Sequence, residues 1–143
     1  MAPLHVGLLY GGQSSEHDIS ILSARGVSGA LDRSSYRVTP IFIAPDGRWT
    51  VEADGASRLD GGEAPDGRPA TLAPGAADVF ADGQPLGLDV VLPMLHGQNG
   101  EDGRIQGLLD TLGLAYVGPG VLASAMCMDK EVTKRLLRDA GIP

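Results

Sequence analysis

The chain is short of cysteine, of positive charge and of long apolar runs, and each shortage excludes something. Cys127 is the single cysteine, so no internal disulfide can form and the composition suits a reducing cytosol. Eleven Lys and Arg stand against eighteen Asp and Glu, a formal net charge of −7. A nucleic acid or an anionic membrane needs clustered cations to neutralise its phosphates, so neither partner is expected. No stretch is apolar for long enough to cross a bilayer, and the first residues lack the basic start and long apolar centre of a signal peptide. A soluble, cytoplasmic chain is therefore expected. Several chemical motifs are missing as well. Gly11-Gly12 lacks the G-x-G-x-x-G spacing of a dinucleotide fold and no G-K-[ST] follows a glycine loop. His5, His17 and His96 have no recognised metal-ligand spacing, and there is no G-x-S-x-G elbow for a serine hydrolase.

What is present reads as alternating strands and helices. At 143 residues one core is expected. Residues 4–10 are short, largely apolar and followed by a glycine pair, which predicts a first, central strand buried on both faces. Ser15 and Asp18 have the spacing of a capping box, and Ile19, Leu22, Val27, Ala30 and Leu31 recur at roughly helical spacing, predicting a helix over about 18–31. Residues 36–44 alternate and are rich in Val, Thr, Ile and Phe; Pro45-Asp46-Gly47 then supplies a turn into a short return strand over 48–51. From 52 to 87 Gly, Pro, Ala and Asp dominate, predicting a surface insertion with one short strand around Thr71 and Leu72.

A second buried strand is expected over 89–95. Ile105, Leu108, Leu109 and Leu112 form a helical stripe closed by Gly113. A short strand over 114–117 follows, and residues 121–127, apolar all round, are expected as a buried helical turn or two. Asp129 caps a last helix with apolar positions Val132, Leu136, Leu137 and Ala140, ended by Gly141 and Pro143. The fold class implied is α/β, an open parallel Rossmann-like sheet with helices on both faces. Residues 1–128 form this domain and 129–143 a helix leading out of it.

Two strands ending in glycine-rich turns would aim their ionisable side chains into one crevice if they lie parallel in one sheet. Glu16 follows the first strand. Its carboxylate can pair with an ammonium group while the helix start offers N–H donors to an anion; the plain alternative is a solvated loop Glu that favours the helix dipole. His96 follows the second strand, where its ring can lean over a ligand or bond to the backbone as a structural residue. Glu101 and Asp102, at the first turn of the next helix, read as capping groups. Lys130, at the first turn of the last helix, can hold a phosphate together with the backbone N–H groups there, and Lys134 either adds to that positive spot or is a solvated face.

The segments Gly11-Gly12-Gln13-Ser14-Ser15-Glu16-His17-Asp18-Ile19-Ser20, His96-Gly97 with Gly100-Glu101-Asp102-Gly103-Arg104-Ile105-Gln106-Gly107, and Tyr116-Val117-Gly118 with Ala123-Ser124-Ala125 and Met128-Asp129-Lys130 together resemble the amino-terminal part of the D-alanine:D-alanine ligases. The resemblance covers nearly the whole chain outside 52–87. It implies a pre-ATP-grasp domain of an ATP-dependent carboxylate–amine ligase that makes D-alanyl-D-alanine for peptidoglycan through an acyl phosphate, with ATP and Mg2+ bound largely beyond residue 143, and a homodimer. It also implies that Glu16 orients the ammonium of the first D-alanine as the catalytic acidic group, that Ile19 lies near its methyl, that His96 stands by its carboxyl or the acyl phosphate, and that Lys130 touches ATP phosphates. On this reading the chain alone is inactive. The alternatives are a ligase using D-lactate or D-serine as second substrate, and a free-standing small-molecule-binding or interaction module with the same fold.

Overall fold

The computed structural model describes residues 2–53, 57–60 and 67–142. Its first strand, β1 (Leu4–Gly11), is buried at every position after Leu4, which is why its sequence is an unbroken apolar run rather than an alternation. β1 pairs in parallel with β2 (Tyr36–Ile43) on one side and β7 (Val90–Pro93) on the other, with Val6 opposite both Val38 and Val90. A parallel bridge between Val91 and Tyr116 extends the sheet beyond β7. The expected α/β architecture with a parallel core is therefore present.

The connections leaving β1 and β7 take opposite faces. Helix α1 (His17–Ala30) buries Ala24 with Leu8, Tyr10, Val38 and Phe42. Helix α2 (Arg104–Leu112) buries Ile105, Leu109 and Leu112 with Leu9, Ile41 and Val91 on the other face, and stops at Gly113 in the left-handed conformation, φ 79°, as its sequence predicts. Adjacent parallel strands whose connections diverge leave a crevice at their carboxyl ends, the usual ligand position in open α/β sheets.

Four expectations need correction. Helix α1 does not bury the apolar positions that suggested it: Ile19 and Leu22 are 51% and 57% exposed, whereas Ser20, Ala24 and Ser28 are buried. Small side chains at i, i+4 and i+8 let the helix lie close to the sheet, and two of them satisfy their hydroxyls by hydrogen bonds to neighbouring groups. Nor does Ser15 cap this helix. The N-cap residue is Glu16, which makes no side-chain cap bond.

The segment 52–87 is more than a surface insertion with one strand. β3 (Trp49–Val51) turns back antiparallel on β2, and β4 (Arg68–Leu72), β5 (Val79–Ala81) and β6 (Gln84–Pro85) continue the sheet outward in the order β6-β5-β4-β3-β2-β1-β7. Val79 and Ala81 join the core beside α2, and Leu59, in a short 3-10 turn (Arg58–Asp60), joins the core beneath α1. Residues 54–56 and 61–66 of this segment lie outside the described residues. Lastly, α3 (Val121–Met128) is not buried; only Ser124 is, and Leu122 is 73% exposed. Helix α4 (Lys130–Asp139) begins as predicted, Asp129 accepting the N–H groups of Glu131 and Val132 at 2.9 and 3.0 Å.

Candidate functional site

The loop between β1 and α1 starts with Gly11 at φ 89°, where an added Cβ would sit 2.3 Å from the Ile43 carbonyl oxygen; only glycine fits this turn. The Gly11 N–H donates to Ser20 Oγ at 2.8 Å, and that hydroxyl donates in turn to the Met94 carbonyl at 2.6 Å. One buried serine of α1 thereby joins the ends of β1 and β7.

Two further serines join the loops themselves. Ser14 Oγ accepts the Glu16 N–H at 3.1 Å and donates to the His96 carbonyl at 2.7 Å. Ser23 Oγ lies 2.9 Å from His96 Nε2. Between these ties, a Cβ added at Gly97, whose φ is 69°, would lie 3.0 Å from Glu16 Oε1. The Glu16 carboxylate thus rests against the residue that follows His96. The two groups expected from sequence to share a crevice stand on adjacent loops at the same end of the sheet, and Ile19, one turn along α1 from Glu16, is half exposed beside them.

The second loop is braced from within. Glu101 accepts the Gly97 N–H at 2.7 Å, and Asp102 accepts those of Asn99 and Arg104 at 3.0 and 3.2 Å. The first-turn capping expected of both is not found, since α2 starts only at Arg104: Glu101 braces the loop, and Asp102 alone meets a helix N–H, that of Arg104. Across the sheet from α1, Gly11, Gly12, Gln13, His96, Asn99, Gly100 and Arg104 rim a pocket of about 190 Å³ floored by Ile43, Trp49, Leu95, Ile105 and Leu108.

Lys130 stands elsewhere. It borders a shallow depression with Asp102, Ala125, Met128, Asp129 and Glu131 that shares no residue with that pocket. The expected partnership between Lys130 and the open N–H groups of α4 does not form, because the Asp129 carboxylate already accepts two of them. What Lys130 offers an anion is its ammonium group. Sequence reasoning missed Ser14, Ser20 and Ser23. The readable signal was the small-residue spacing of Ser20, Ala24 and Ser28, which marks the inner face of α1.

Residues 5–119 match the family described as D-ala D-ala ligase N-terminus. The chain belongs to the D-alanine–D-alanine ligase family. D-alanine–D-alanine ligase A of Mesorhizobium japonicum is 48% identical over 145 residues, an alignment covering 96% of this chain and 41% of that ligase. The structure of the D-alanine–D-alanine ligase from Coxiella burnetii superposes with a TM-score of 0.86 at 41% identity, covering all of this chain and 43% of that one. The VanG D-Ala:D-Ser ligase from Enterococcus faecalis superposes with a TM-score of 0.87 at 29% identity, over 98% of this chain and 43% of its own. The chain thus spans about two-fifths of the ligases it matches, at their amino-terminal end. Among the described residues no helix is long and apolar enough to cross a membrane.

Proposed function

We propose that this part of the ligase orients the first D-alanine for ATP-dependent joining to a second, in the cytoplasm and within a homodimer. The observation that carries the reading is the Glu16 carboxylate resting against Gly97, the neighbour of His96, at the crevice between β1 and β7. Glu16 supplies a negative charge for the substrate ammonium, and Ile19 supplies apolar surface for the methyl group. With Nε2 of His96 engaged by Ser23, Nδ1 is the ring nitrogen left to donate to the substrate carboxyl or to the acyl phosphate made from it.

Phosphoryl transfer from ATP to that carboxyl releases ADP. The amine of the second D-alanine then attacks the acyl carbon, phosphate leaves, the nitrogen loses a proton, and the dipeptide used in peptidoglycan remains. Holding the first substrate by both of its charged ends is the contribution asked of these loops, since a fixed orientation lowers the entropic part of the barrier. Lys130 places one positive charge where ATP phosphates would lie. Among the described residues no three His, Cys, Asp or Glu side chains are grouped to hold a metal ion, so magnesium, which the family resemblance implies, is given no ligand here. No step is assigned to it on this chain.

The test is Glu16→Gln in the complete ligase. The KM for the first D-alanine should rise by about tenfold or more, as expected for loss of a charge-assisted contact, with the KM for ATP little changed. An unchanged D-alanine KM would leave Glu16 a solvated loop charge and remove the proposal. The VanG likeness favours one second reading, D-serine in place of the second D-alanine. Assaying the complete ligase with each as second substrate separates them.

A further inference from the structure

The loop that presents Glu16 is held from behind by a ring that needs no contact with any ligand. His17 Nδ1 lies 2.7 Å from the Gly12 carbonyl oxygen; a carbonyl only accepts, so Nδ1 carries the proton. The ring also covers the start of the loop, since a Cβ at Gly11 would lie 3.1 Å from His17 Cε1 and 2.9 Å from Phe42 Cε2. His17 meets the Phe42 ring edge-on, with centroids 5.5 Å apart at 78°. Phe42 is in turn covered by the Arg58 guanidinium, 3.9 Å above its centroid. Arg58 forms an ion pair with Glu52, whose carboxylate is fully buried and accepts the Tyr10 hydroxyl and the Arg58 N–H. His17 is therefore the half-buried outer end of a packed column, Tyr10–Glu52–Arg58–Phe42–His17, that runs from the core to the loop.

We infer that His17 is a positioning residue for the first-substrate site, acting through its Nδ1–H bond to Gly12. Gly12 is fixed at both of its backbone groups, its N–H donating to the Ile43 carbonyl at 2.8 Å and its carbonyl accepting from His17. Two residues on, the chain must set Ser14 against the His96 carbonyl, and four residues on, Glu16 against Gly97. Releasing the Gly12 carbonyl frees the peptide between Gly12 and Gln13 to rotate, and the carboxylate loses its fixed place. This inference rests on the substrate reading of Glu16.

Two variants of the complete ligase test it. His17→Phe keeps an aromatic edge on Phe42 and cover over Gly11 but has no donor. His17→Asn keeps an N–H near the position of Nδ1. Expected for His17→Phe is a rise of about fivefold to tenfold in the KM for the first D-alanine, the size set by one neutral hydrogen bond, with kcat within about threefold. Amide hydrogen exchange over residues 12–16 should be faster by a similar factor, and His17→Asn should restore both. Unchanged exchange in His17→Phe overturns the inference whatever the kinetics, and so does equal impairment of both variants, which would make His17 packing alone. Faster exchange with an unchanged KM supports the loop anchor and instead removes the substrate role of Glu16, so the two failures are told apart.

Discussion

His96 can offer a ligand only one of its ring nitrogens, and which state that nitrogen takes is decided by a serine on another element. If Ser23 Oγ donates into Nε2, 2.9 Å away, the neutral ring carries its proton on Nδ1 and presents an N–H to an anionic substrate group. Removing the hydroxyl lets the proton move to Nε2 and leaves a lone pair facing the same anion. Ser23→Ala is therefore expected to raise the KM for the first D-alanine by about threefold to tenfold, the worth of one hydrogen bond. A Ser23→Ala ligase with wild-type KM values would show that the hydroxyl merely packs against the ring.

At the scale of elements, α1 shows why the sequence could be read so far and no further. Its inner face is Ser20, Ala24 and Ser28, with Ala24 fully buried against the side of the sheet that holds Leu8, Tyr10 and Val38. Ala24→Leu should cost about 1–3 kcal/mol by overpacking this contact, while Leu22→Ala, on the outer face, should change stability by less than about 0.5 kcal/mol. Denaturant midpoints for the two variants check both values; the reverse order would restore the apolar positions as the buried face. The strands over 4–11 and 36–43, the hairpin at Pro45-Asp46-Gly47 and the α2 stripe were legible because each buries what its periodicity advertises. The phase of α1 was not, because close packing selects small side chains, and serines count as polar until their partners are seen. The strands β4 to β6 were hidden for a related reason. β4 and β6 bury no side chain and β5 only Val79 and Ala81, and β-pairing depends on a neighbour that no local pattern names. At the site, the loop positions of Glu16 and His96 were readable from strand-then-glycine order, but the serine ties between them were not.

The whole molecule is joined by a charge buried away from the crevice. Glu52 lies at the start of the segment that composition marks as peripheral, yet its carboxylate is inside the protein, paired with Arg58 and accepting from Tyr10. Burial is the main cause that holds the Tyr10 phenol above its ordinary value of 10.0; Asp60 adds to this and Arg58 and Arg25 oppose it. Because the folded chain keeps this proton at a pH where the unfolded chain releases it, the contribution to stability is complete below pH 10 and declines as the pH rises from there toward the folded value. One such proton lowers unfolding free energy by at most about 1.4 kcal/mol per pH unit. Tyr10→Phe removes the titration and also deprives Glu52 of a donor, so this variant should begin less stable at pH 8 and then lose less between pH 9.5 and 11.5. Urea midpoints of both proteins across that range measure the difference in slope. Parallel curves would mean that the phenol releases its proton as freely folded as unfolded, and that the column behind the Glu16 loop is not sealed from water at its inner end.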